Sequence, residues 1–85
     1  MMKETSNVSP IDNSVRGTII DEKGVPLPGV SVAIKGTSTG VISDINGYYI
    51  INAKAGDILV FSFVGFKSQE ITVGKKPALD IVMKE

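Results

Sequence analysis

From Val15 to the C-terminus, apolar and polar residues alternate with a period of two, and glycine, proline, asparagine or aspartate cuts the pattern about every eight to ten residues. A strand sends successive side chains to opposite faces, so this alternation buries one face and wets the other. No segment carries the 3.6-residue apolar stripe of a helix. "VRGTIID" reads as a first strand and runs into the charged, Gly/Pro-rich loop "DEKGVPLPG". In "VSVAIKG", Val30, Val32 and Ile34 fall on one face and Ser31, Ala33 and Lys35 on the other. "TSTGVISD" supplies a short strand around Val41 to Ser43. "DINGYYIINA" turns through Asn46-Gly47 into a strand with Tyr49, Ile51 and Ala53 on one face and Tyr48, Ile50 and Asn52 on the other.

After the turn "KAGD" comes "ILVFSFV", the most apolar run, with Leu59, Phe61 and Phe63 in one register and Ile58, Val60, Ser62 and Val64 in the other. Such a run predicts a central strand covered on much of both faces. "FKSQEITV" and "ALDIVMK", separated by "GKKP", complete the set. About seven short strands and no helix predict an antiparallel β-sandwich or small barrel. No internal repeat is visible. Residues 1 to 14 are polar and aperiodic, contain Pro10, and read as a flexible lead-in or linker, leaving 15 to 85 as one β domain. Asn7-Val8-Ser9 fits the glycosylation triplet, a weak three-residue match.

The residue inventory then removes whole classes of chemistry. With no histidine and no cysteine, neither a Ser/His nor a Cys/His pair can be assembled, and disulfides and thiolate metal sites are excluded. The nine acidic residues fall mostly in turns or at outward positions, without a partner base. They are balanced by nine interspersed Lys and Arg, which leaves no electrostatic footprint for nucleic acid or anionic lipid. No apolar run approaches the roughly 18 residues that cross a bilayer, and "MMKETSNVSP" lacks a signal peptide's apolar core. "DINGYY" begins like a calcium loop, but the twelfth position, where a bidentate acid belongs, is Ala55. The competing reading is a turn in which the Asp44 side chain bonds backbone amides while Gly47 takes a positive φ. "GTSTG" has neither the spacing nor the Lys of a phosphate-binding loop. No cofactor is expected.

All three phenylalanines lie in "FSFVGF". Leu59, Phe61 and Phe63 are expected to face inward, opposite Val32, Ile34 and Tyr49 across the sandwich. Gly65 then supplies either a positive φ or room for a close backbone approach, and Phe66 returns to the apolar side. The alternative is an exposed apolar patch that docks a partner.

Three spaced motifs carry a family resemblance: "GxxxDxxGxPLPGVxVxxKGT", "TGxxxDxxGYY" and "LxFSFVGF". Over roughly Val15 to Lys84 the chain resembles the carboxypeptidase-regulatory-like (CarboxypepD_reg-like) domain. More narrowly, it is similar to the version at the periplasmic N-terminus of SusC/RagA-type TonB-dependent outer-membrane transporters of Bacteroidetes-like bacteria. The resemblance implies a seven-stranded transthyretin-like or prealbumin-like (Ig-like) sandwich and a non-catalytic accessory role. It implies protein partners, namely a transporter plug and barrel in the same parent chain and TonB-system or other periplasmic proteins, at the outer membrane. It implies no nucleic acid and no direct membrane insertion. No plug or barrel follows "IVMKE", so the chain is expected to be an excised domain or a small stand-alone homologue.

The motif positions are Gly24, Pro26, Leu27, Pro28, Gly29, Val30, Gly36, Thr37, Gly40, Asp44, Gly47, Tyr49, Phe61, Phe63, Gly65 and Phe66, and their expected role is structural. Pro26 and Pro28 fix φ ahead of a strand, Gly29 lets the chain bend into it, and Gly36, Gly40 and Gly47 mark corners. A spacer or adhesion module of a secreted peptidase, glycanase or adhesin is the alternative role. Transthyretin-like folds also include a purine-pathway hydrolase, whose chemistry needs the histidines absent here.

Overall fold

The alternating segments become strands in the computed structural model, which describes residues 14–75 and 78–85. They are β1 (Ser14–Asp21), β2 (Ser31–Ile34), β3 (Gly40–Ile42), β4 (Tyr48–Asn52), β5 (Ile58–Ser62), β6 (Gln69–Thr72) and β7 (Ile81–Met83), with no helix among the described residues. A three-stranded sheet in the order β4-β1-β7 packs on a four-stranded sheet in the order β3-β2-β5-β6. The result is a seven-stranded, immunoglobulin-like sandwich of two sheets, not a closed barrel. The lead-in and the Asn7 triplet lie outside the described residues, as do Lys76 and Pro77 of "GKKP"; Ser14 opens β1 opposite Asn52.

Alternation sorts the side chains as the period predicts. Val30, Val32 and Ile34 are buried, and so are Tyr49, Ile51 and Ala53, while Tyr48, Ile50 and Asn52 face outward. β5 lies between β2 and β6, with Leu59 and Phe61 fully buried and Ile58, Val60 and Ser62 half-buried on the outer face. Across the interior, the Tyr49 and Phe61 rings meet edge to face at 5.4 Å and 78°.

Three expectations need correction. Four strand pairings are antiparallel, but β1 and β7 run parallel, with Ile19 opposite Ile81. Gly17 makes this possible: a Cβ there would collide with the Leu79 carbonyl as the last segment runs alongside β1. The inward register of β5 also stops short of Phe63, because the strand ends at Ser62. Phe63 is partly buried and stacks on Phe66 at 5.7 Å and 28° over the turn at Val64-Gly65. Val32 and Ile34 are neighbours of Phe61 and Leu59 within one sheet, and of the three residues expected opposite them only Tyr49 faces them across the sandwich. Of the two uses considered for Gly65, φ +87° selects the conformational one, since an added Cβ would meet open space.

This packing separates core from surface within six residues. Phe61→Ala should lower stability by about 3–5 kcal/mol in urea denaturation. Val64→Ser, at a side chain 93% exposed, should stay within about 0.5 kcal/mol.

Candidate interaction surfaces

Most motif residues gather at one end of the sandwich, and their polar groups are used in closing turns. Two Asp-x-x-Gly turns there share one hydrogen-bond plan. Asp21 Oδ1 accepts from the amides of Lys23 and Val25 at 2.8 and 2.9 Å, and Asp44 Oδ1 from those of Asn46 and Tyr48 at 2.9 Å each. In each, the glycine amide donates to the aspartate carbonyl, Gly24 to Asp21 at 3.0 Å and Gly47 to Asp44 at 2.8 Å. The Asp44 segment is thus built as a turn: Gly47 has φ +74°, and a Cβ on it would collide with the Ile19 carbonyl. Among the described residues no group of three or more acids is placed to hold a metal ion.

The "PLPG" loop between these turns ties the two sheets together. The Leu27 amide donates to Ile19 O at 3.0 Å, and Pro26 bridges to Ile20, which seats the loop on β1. Its other side is held by Ser43, the buried polar residue at the end of β3. The Ser43 hydroxyl donates to Leu27 O at 2.7 Å and accepts from Val30 N at 2.9 Å. Its backbone completes the clamp, with Gly29 N to Ser43 O and Ser43 N to Val30 O both at 3.0 Å. Pro28 and Gly29 are exposed at the tip, and Gly29 turns the chain with φ +83°. Ser43 escaped the sequence reading; its only signal is one hydroxyl residue between the apolar "VI" and Asp44.

The Phe63–Phe66 stack lies at the same end. Phe63 approaches Gly29, and Phe66 lines a shallow groove with Asp21, Glu22, Lys23 and Glu85. Gly36 and Thr37 sit at the opposite end, where the Thr37 hydroxyl donates to Ile34 O at 2.9 Å. Gly40 is a strand residue in β3 and marks no corner, whereas Gly36, also expected at a corner, has φ +83°.

The outer faces of the two sheets differ in chemistry. On the three-stranded sheet, Tyr48 and Ile50 of β4 and Val82 of β7 are exposed beside half-buried Ile20, with exposed Arg16 of β1 opposite Ile50. On the four-stranded sheet, exposed Ile42 stands beside half-buried Ser31, Ala33 and Ser62, and Lys35 pairs with Glu70 at 3.1 Å. The Tyr49 hydroxyl donates to Leu79 O at 2.6 Å, and nearby at the surface Asp80 Oδ1 accepts from Thr18 N at 3.0 Å. Burial, and secondarily the Asp80 carboxylate, hold the Tyr49 phenol well above its ordinary pKa.

A model of the family described as "CarboxypepD_reg-like domain" matches residues 15–85. The chain is 44% identical over 70 residues to TonB-dependent receptor P26 of Formosa agariphila, which covers 82% of this chain and 7% of that protein. It is 36% identical over 81 residues to receptor P39 of the same organism, covering 94% of this chain and 8% of the relative. TonB-dependent receptor SusC of Bacteroides thetaiotaomicron is 39% identical over 72 residues, which are 85% of this chain and 7% of that protein. This chain therefore spans under a tenth of the relatives it matches. Among solved structures it is similar to two interface mutants of a type II cohesin–X–dockerin complex from Acetivibrio cellulolyticus. Their TM-scores are 0.66 and 0.65, each with 23% identity over 84% of this chain and 56% of that one. At that identity the likeness shows the fold alone.

Two substitutions test the polar clamps. Ser43→Ala strands the Val30 amide and the Leu27 carbonyl in a buried site, and should cost about 1–3 kcal/mol in thermal or urea unfolding. Tyr49→Phe should cost about 1 kcal/mol at neutral pH. It should also change the alkaline limb. The folded phenol holds its proton above the pH at which the unfolded one, near about 10, releases it. Its contribution is therefore complete below that pH and declines as pH rises beyond it. Stability measured from pH 8 to 11 should fall less steeply in Tyr49→Phe than in the wild type.

Proposed function

The chain belongs to the CarboxypepD_reg-like domain family, and from that premise we propose that it is a non-catalytic interaction domain of a TonB-dependent outer-membrane receptor, held on the periplasmic side. The observation that carries this reading is the pattern of similarity. Receptors match 82–94% of this chain, yet those matches fill only 7–8% of the receptors themselves. A domain with that proportion serves a larger machine, here one that takes up glycan or peptide nutrients.

The chemistry of the residues supports the non-catalytic part. Asp21 and Asp44 each commit one carboxylate oxygen, Oδ1, to turn amides, and the chain lacks histidine, the commonest general base, to set beside its hydroxyls. What it offers a partner is surface: an outer sheet face where Tyr48, Ile50 and Val82 surround the Arg16 strand, strand edges, and an end crowded with tight turns.

The test is association with the rest of the receptor. The purified domain, added to the plug-and-barrel remainder of its parent receptor in detergent, should bind by calorimetry and crosslink to it. A domain that binds neither that remainder nor TonB would instead be a spacer.

A further inference from the structure

The two long sides of the sandwich are finished differently. On one side β6 and β7 are stitched across the sheets: Gln69 Nε2 donates to Val82 O and Lys67 N to Lys84 O, both at 2.7 Å. On the other side lie β3 and β4, joined only at the Asp44 turn, where Asp44 N donates to Tyr48 O at 2.9 Å.

The register shows which groups β4 leaves open. Ile19 N donates to Gly47 O at 2.7 Å, so the hydrogen-bonded pairs continue as Gly17 with Tyr49 and Val15 with Ile51. The backbone groups of Tyr48, Ile50 and Asn52 therefore point away from β1. Asp44 satisfies those of Tyr48. The amides and carbonyls of Ile50 and Asn52 face the open side with no partner among the described residues.

Other edges carry the usual protection against stray pairing, which is short length or charge. β3 is three residues long. On β6, Glu70 is ion-paired to Lys35, and charged Lys67 and Lys75 flank the strand. β4 is longer than β3 and, unlike β6, has no charge within the strand: "YYIIN" is uncharged and free of glycine and proline, and its first four residues are strong strand formers, with Lys54 the nearest flanking charge. Its outward side chains Tyr48 and Ile50 remain 39% and 46% exposed.

The geometry points to β4 as a docking edge for an extended segment of the receptor's remaining chain, a proposal that rests on the receptor-domain reading above. That segment joins the β4-β1-β7 sheet as a fourth strand, bonds the backbone of Ile50 and Asn52, and lays an uncharged, apolar residue over Tyr48 and Ile50. Unpaired amides and carbonyls at alternate residues select an extended backbone as occupant. The relatives carry more than nine-tenths of their length outside the matching region, so the strand can come from the same polypeptide.

Ile50→Pro tests this directly. It removes the outward amide but leaves Tyr49 and Ile51, which pair with β1, unchanged. Thr72→Pro makes the same change at the β6 edge. On mixing with the plug-and-barrel remainder, the wild-type amides of Ile50 and Asn52 should become protected from hydrogen exchange. Ile50→Pro, folded by circular dichroism, should bind about tenfold or more weakly, and Thr72→Pro as tightly as wild type. Full-strength binding by Ile50→Pro, with the wild-type amides still exchanging freely, overturns the edge assignment and leaves the receptor reading standing. Absence of wild-type binding removes both. Concentration-dependent protection in the isolated domain, with a dimer mass, makes the occupant a second copy and overturns the proposal. Should Ile50→Pro fail to fold, Ile50→Lys at the same exposed position and the wild-type exchange pattern decide between these outcomes.

Discussion

The edge-to-face contact between Tyr49 and Phe61 is the joint on which the rest of the sandwich depends. Phe61 comes from β5, at the middle of the four-stranded sheet, and Tyr49 from β4 of the facing sheet. The same Tyr49 hydroxyl reaches Leu79 O and fixes the segment that enters β7. One side chain therefore sets the sheet spacing through its ring and the course of the last strand through its oxygen. Tyrosine suits this position because it combines a large apolar body with one polar atom that needs a partner when buried. Gly17 completes the arrangement by letting the Leu79 carbonyl come close to β1.

Around this joint, the polar residues work as fasteners. The turns at Asp21 and Asp44 repeat one hydrogen-bond plan, and the Ser43 hydroxyl joins the Leu27 carbonyl of the "PLPG" loop to the Val30 amide just before β2. These contacts help a domain of this size hold two sheets together without cysteines for disulfides. Asp21 and Asp44 each already accept two backbone amides on Oδ1, which makes these two carboxylates structural elements of their turns.

Much of this was legible in the residues. The period-two pattern placed Val30, Val32, Ile34, Tyr49, Ile51 and Ala53 on buried faces because burial and alternation are local properties of a strand. The Asp44 turn was legible for the same reason, since an Asx turn is closed by its own five residues. Ser43 was not, because its hydroxyl partners, Leu27 and Val30, are 16 and 13 residues away and come within reach only after the loop folds over β1. Phe63 read as a core residue because alternation carries on past Ser62, whereas the strand ends there and the side chain turns to stack on Phe66.

By itself, then, the sequence determined the all-β class, the faces of each strand, the turn chemistry and the family, all of which are written in short-range spacing. Only the tertiary structure decided that β7 runs parallel to β1, that Tyr49 rather than Val32 or Ile34 faces Phe61, and that the outward backbone groups of Ile50 and Asn52 in β4 have no partner among the described residues. These depend on which distant strands become neighbours, and alternation says which way a side chain points without saying what it will meet.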